Sequence, residues 1–124
     1  MTRQQATATG LLGDFGPTAF CTRGHLRAAP NEKGVVLLSK TLGIATIDAY
    51  GSVTTPEGAH IGMATAEIRR LYPAWKPVDG DSGATDGRGN VKVPGNSKAS
   101  YRIVTRKGVV TELTLQFTNQ NCYE

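Results

Sequence analysis

Apolar and polar positions alternate most regularly toward the end of the chain. Tyr101 and Ile103 alternate within a run from Lys98 to Thr105. After Arg106-Lys107-Gly108, the residues Val109, Thr111, Leu113, Leu115 and Phe117 alternate with Glu112, Thr114 and Gln116. A period of two sends successive side chains to opposite faces of a strand, and a short Gly-containing turn joins two such strands as a hairpin. The pattern predicts a buried face at 109, 111, 113, 115 and 117 and an open face at 112, 114 and 116. Apolar and β-branched runs predict further strands around Phe20–Leu26, Val35–Leu38, Leu42–Ile47 and Asn90–Val93, with Val35–Leu38 buried on both sides. Gly13–Pro30 otherwise reads as irregular.

Two segments follow the helical period instead. Ala64, Ile68, Leu71 and Tyr72 fall at i, i+4, i+7 and i+8, which predicts a helix over 62–72 that Pro73 ends. Thr2 with Gln5 three residues later has the spacing of a capping box. Ala6, Ala8, Leu11 and Leu12 then give a modest apolar face, predicting a helix over 2–12 that Gly10 and Gly13 weaken and stop. The expected fold is therefore α+β. One domain, 1–124, would hold two helix-plus-antiparallel-strand units, about 1–50 and 56–124, with the helices packed on one face of an antiparallel sheet.

Composition narrows this further. The 124 residues suffice for one core; 15 are Gly, in keeping with many turns, and charged residues are 19%, too few for a coiled coil or a disordered polyampholyte. No apolar run approaches the roughly 20 residues of a membrane-spanning helix, so no membrane insertion is expected. The net charge of +4 favours an acidic partner, but the basic residues are scattered, with Arg69-Arg70 and Arg106-Lys107 the adjacent pairs, and nucleic acid is not an expected ligand.

Cys21 and Cys122 lie far apart and lack the close spacing of a metal site. A disulfide between them would pin the last strand and close a loop of about 100 residues, stabilising by roughly 4–5 kcal/mol in the chain-entropy model. The alternative is two buried free thiols. The disulfide reading places the protein in an oxidising compartment, secreted or at the cell surface. Met1-Thr2-Arg3-Gln4-Gln5 has no apolar leader core, so the protein is either cytosolic or a mature or trimmed chain, and the disulfide reading favours the second.

Several motifs suggest chemistry and fall short of it. Gly80-Asp81-Ser82-Gly83 looks like the nucleophile segment of trypsin-type proteases, but the chain is too short for their two barrels, and His25 and His60 lack the expected neighbours. Asp79, Asp81 and Asp86 with Gly83 resemble part of a calcium loop, yet its fifth and twelfth positions would be Gly83 and Asn90. His25 and His60 lack the spacing of a helical metal pair. Glu32, Asp48, Glu57 and Glu112 would need a fixed pairwise separation to act on glycosides. No metal, cofactor or catalytic site is expected.

Two resemblances give the function a direction. The openings Met1-Thr2-Arg3-Gln4-Gln5-Ala6 and Gly62-Met63-Ala64-Thr65-Ala66-Glu67-Ile68 resemble the helix opening of the β-lactamase inhibitor protein repeat, with Ala64 where Thr is usual. That resemblance implies a helix–loop–helix followed by a four-stranded sheet in each unit. It covers about 14 residues and carries over no enzyme-contacting residue; the inhibitor's repeats each hold their own disulfide. The segments Leu37-Leu38-Ser39, Thr55-Pro56-Glu57-Gly58, Val93-Pro94-Gly95-Asn96 and Gln120-Asn121-Cys122-Tyr123-Glu124 are similar to a group of small exported actinobacterial proteins of no established function.

Trp75, Tyr72, Tyr101 and Arg102 are residue types enriched at binding hot spots. They are candidates for a protein-binding surface, although Trp75 reads first as a cap on the core. The expected function is a secreted, non-enzymatic protein-binding module, inhibitor-like, docking through the open sheet face or the 76–94 loop. A structural, cell-envelope protein is the alternative, and a small hydrolase the third reading.

Overall fold

The computed structural model of the protein describes residues 1–18, 20–30, 33–77 and 87–123. Strands β1 (Leu12–Pro17), β2 (Thr22–Leu26), β3 (Val35–Ser39), β4 (Gly43–Asp48), β5 (Gly87–Val93), β6 (Asn96–Arg106) and β7 (Val109–Phe117) form one sheet in the order β1-β2-β3-β4-β7-β6-β5. Every pairing is antiparallel. The first four strands make one meander and the last three another, and β4 against β7 joins them. The helices are α1 (Arg3–Ala8) and α2 (Thr65–Leu71), of six and seven residues.

This overturns the α+β expectation of two helix-plus-strand units with helices packed on one face. The molecule is mostly antiparallel sheet, and each helix gives its neighbouring cluster one fully buried apolar side chain, Ala6 or Ile68. The capping box predicted at Thr2 forms: Thr2 Oγ1 accepts the Gln5 N–H, and Gln5 Oε1 accepts the Thr2 N–H. Ala64 holds the same position before α2 and, lacking a hydroxyl, makes no side-chain cap. The first helix stops early because Leu12 pairs with Leu26 across β1 and β2 and is buried there. Continuing the helix would forfeit that pairing and burial, and β1 replaces a stretch that reads as irregular.

Turn chemistry sets the ladder. Arg106 pairs with Val109, so the last hairpin turns on two residues, Lys107 and Gly108, both with positive φ (54° and 81°). That is the backbone a tight hairpin requires for the strands to keep their twist. At the other end, Gly43 opens β4 with φ +74°, and a Cβ there would stand 1.9 Å from the Met1 carbonyl oxygen. That oxygen accepts the Ile44 N–H at 2.7 Å, tying the chain start to β4.

Directly paired residues share a face. Val36, Ile47, Leu115, Tyr101 and Val91 therefore form one row across β3, β4, β7, β6 and β5. One position along, Leu37, Thr46, Gln116, Ser100 and Lys92 form a row on the opposite face. The first face carries two separate cores. One, at the β1–β4 end, gathers Ala6, Leu12, Val36 and Leu38. The other, over β5–β7, gathers Ile68, Tyr72, Trp75, Tyr101, Ile103, Val110 and Leu113. Its cover comes largely from loop residues such as Ala59 and from Tyr72 and Trp75, which follow α2.

The predicted faces of β7 need correction. The ladder shifts between Val104 and Thr105, so Val110, not Val109, turns inward. Thr114 and Gln116, expected on the open face, are buried, while Leu115, expected inside, is exposed. The C-terminal segment explains the first reversal. It crosses the second face, where Cys21 and Cys122 are joined and cluster with Ala45, Leu37 and Tyr123.

Candidate functional site

The row Val36, Ile47, Leu115, Tyr101, Val91 is covered at both ends and open in the middle. Val36 and Tyr101 are buried, but Leu115 is 43% exposed although β7 lies between β4 and β6. The two cores stop on either side of it and leave a cleft of about 320 Å³. Its floor is Ile47, Leu113, Leu115 and Tyr101; the segment 49–56 walls it, with Val53 44% exposed at the rim.

The polar groups beside the cleft bind one another. The Tyr72 hydroxyl donates to Glu57 Oε1 at 2.6 Å and lies 2.7 Å from Thr55 Oγ1. Thr55 Oγ1 also accepts the Ala59 N–H at 3.0 Å. The Tyr72 and Tyr101 rings meet at 5.5 Å between centroids, tilted by 52°. Burial, then the Glu57 carboxylate, raises both phenols, Tyr101 to about 12. Both phenols therefore stay protonated across the physiological range, with Tyr72 donating to Glu57. On the opposite face, Asp48 accepts from Thr114 Oγ1 at 2.7 Å, and burial raises its carboxyl above the usual range. The lining thus asks for apolar contact and leaves few polar groups seeking a ligand.

The residues singled out from the sequence do not form one surface. Trp75 is 1% exposed, Tyr72 2% and Tyr101 4%. Trp75 Nε1 donates to the Gly89 carbonyl at 3.0 Å, and the Arg69 guanidinium lies 5.5 Å from the indole centroid. The indole caps the core, and only Tyr101 reaches the cleft. Arg102 follows Tyr101 in β6 and so points to the opposite face, where it lies 3.4 Å from Glu112 and 5.4 Å from the Tyr123 ring centroid. Leu115, Ile47 and Val53 were not among the candidates. Val53 had a signal, being a lone apolar residue in the polar stretch Gly51–Thr55.

Among the other motifs, Gly80-Asp81-Ser82-Gly83, the Asp79, Asp81 and Asp86 set, Glu32 and positions 78–86 of the 76–94 loop lie outside the described residues. Among the described residues no three His, Cys, Asp or Glu side chains group to hold a metal, and no helix is long and apolar enough to cross a membrane. His25 and His60 each place Nδ1 on the carbonyl of the next residue, at 3.0 and 2.8 Å. Comparison with protein-family models, curated proteins and solved structures found no match. What the fold and the site define is a sheet protein with an apolar cleft over its central strands.

Proposed function

We propose that this chain is a secreted, non-enzymatic module that binds a protein partner through the cleft over β4 and β7, with apolar side chains of the partner filling it. The observation that carries the reading is Leu115, an apolar residue at the middle of a sheet face, 43% exposed between two cores. Burying such a side chain contributes roughly 1.5–3 kcal/mol, so a partner that covers it together with Val53 gains a central anchor. The mutual bonding of Tyr72, Thr55 and Glu57 supports binding over catalysis, since those groups are already engaged. The Cys21–Cys122 bond supports an oxidising compartment.

The test is capture of partners from the secreted fraction of the producing cells by the wild type and by Leu115→Glu. Wild type should retain a protein that Leu115→Glu loses, while far-UV circular dichroism stays the same. Equal capture by both would reject the cleft as the contact.

A further inference from the structure

The C-terminal segment lies over the face opposite the cleft, and its attachments are unusual in kind. The backbone hydrogen bonds of residues 119–123 are local: Gln120 N–H donates to the Phe117 carbonyl, and the Cys122 and Tyr123 N–H groups donate to Gln120 Oε1. Gln120 Nε2 donates to the Tyr123 carbonyl in turn. Among the described residues, none of these backbone groups joins a neighbouring strand. Attachment to the sheet is by side chains. The Tyr123 hydroxyl donates to Gln116, the Arg102 guanidinium lies over the Tyr123 ring, and Asn121 Nδ2 donates weakly to Thr41 Oγ1 at 3.4 Å. The remaining attachment is covalent, Cys122 to Cys21.

What the segment covers is mostly polar. Thr46, Gln116 and Ser100 stand in register across β4, β7 and β6, and all three are buried. Water can hydrate such a row at little cost, unlike the apolar clusters on the other face. Leu37, Ala45 and the Tyr123 ring are the apolar groups that opening would wet.

We infer that residues 119–123 are a redox-released strap: reduction of Cys21–Cys122 frees the segment and uncovers the Thr46–Gln116–Ser100 row while the rest of the sheet stays folded. The reductant is a dithiol. One of its thiolates attacks a cysteine sulfur, the S–S bond breaks, and the other cysteine leaves as a thiolate that takes up a proton. The second thiolate then displaces the first cysteine, which is protonated in turn. Two electrons and two protons reach Cys21 and Cys122, and the dithiol becomes a disulfide. In an oxidising compartment the strap is closed.

Hydrogen exchange read by mass spectrometry, with and without dithiothreitol, tests this, with thiol titration to follow the reduction. Amides of 119–123 should exchange roughly tenfold faster or more after reduction, reaching unprotected rates as expected for a locally opened segment, while those of β6, β7 and α2 stay protected and speed up only as far as the lost loop-closure stabilisation lowers global stability. Cys122→Ser should reproduce the pattern without reductant. Loss of protection across β6, β7 and α2 down to unfolded-chain rates, in either the reduced protein or the variant, would show that the bond holds the whole fold and overturn the strap. So would an unchanged tail after confirmed reduction, or native protein in which no thiol appears.

Discussion

Replacing Trp75 by alanine separates a core role from a surface role. The indole is 1% exposed, packs with Ile68, Val91 and Ile103 in the larger core, and donates to the Gly89 carbonyl. Removing a buried Trp side chain costs about 3–5 kcal/mol, since the cavity collapses only in part. The Gly89 carbonyl, left without its donor, adds about 1 kcal/mol. Losing the Arg69 contact contributes about 0.5–1 kcal/mol more. The expected loss of about 4.5–7 kcal/mol is a large share of the 5–15 kcal/mol typical of a whole domain. Urea unfolding should be followed by far-UV circular dichroism, because Trp75 is the one tryptophan and its fluorescence disappears with it. Trp75→Phe keeps most of the volume, loses the N–H donor, and should cost about 1–3 kcal/mol. A drop below about 1.5 kcal/mol for Trp75→Ala, far under the usual cost of a buried Trp, would mean the indole is not seated in the core.

Leu113 and Leu115 stand two apart on β7, and the same truncation should treat them differently. Leu113→Ala, in the core, should cost about 2–4 kcal/mol, and Leu115→Ala less than about 1 kcal/mol in urea unfolding; equal costs would deny an open cleft. The phenols give a pH dependence. Tyr101 and Tyr123 are held at about 12 against an ordinary 10. The protonated form is favoured in the folded state, so this stability is full below pH 10 and is lost as pH rises from 10 toward 12. Tyrosinate absorbance should therefore appear with loss of circular dichroism in that window, and Tyr101→Phe should flatten the fall in stability.

Strand positions were largely legible because each depends on a short local pattern. β3, β4, β6 and β7 fall close to where apolar and β-branched runs place them, and the Thr2 cap forms with Gln5 as its spacing predicts. β1 was hidden because Gly13 and Gly16 dilute its pattern, and its partner Leu26 is remote in the chain. Side-chain alternation on β7 misled about burial for a different reason. Alternation gives the faces, but what covers each face is decided by segments elsewhere: the tail over Gln116, and the gap between two cores at Leu115. Trp75, Tyr72 and Tyr101 show the same limit, since large amphipathic residues suit an interface and a core with hydrogen-bond partners equally well. The Cys21–Cys122 pairing was legible because two cysteines allow one intramolecular bridge.

The seam between β4 and β7 has a kinetic side. Thr114 Oγ1 reaches Asp48 across 66 positions of chain, whereas the hairpins within each meander close over short loops. Loop-closure entropy must be overcome before such remote pairing is rewarded, so each meander can organise before the seam zips. Until then β4 and β7 are both bare edges, free to pair with the wrong chain. Newly made molecules would be most prone to aggregate during that interval, and mutations at Ile47 or Leu115 would register in refolding yield before they register in the finished protein's stability.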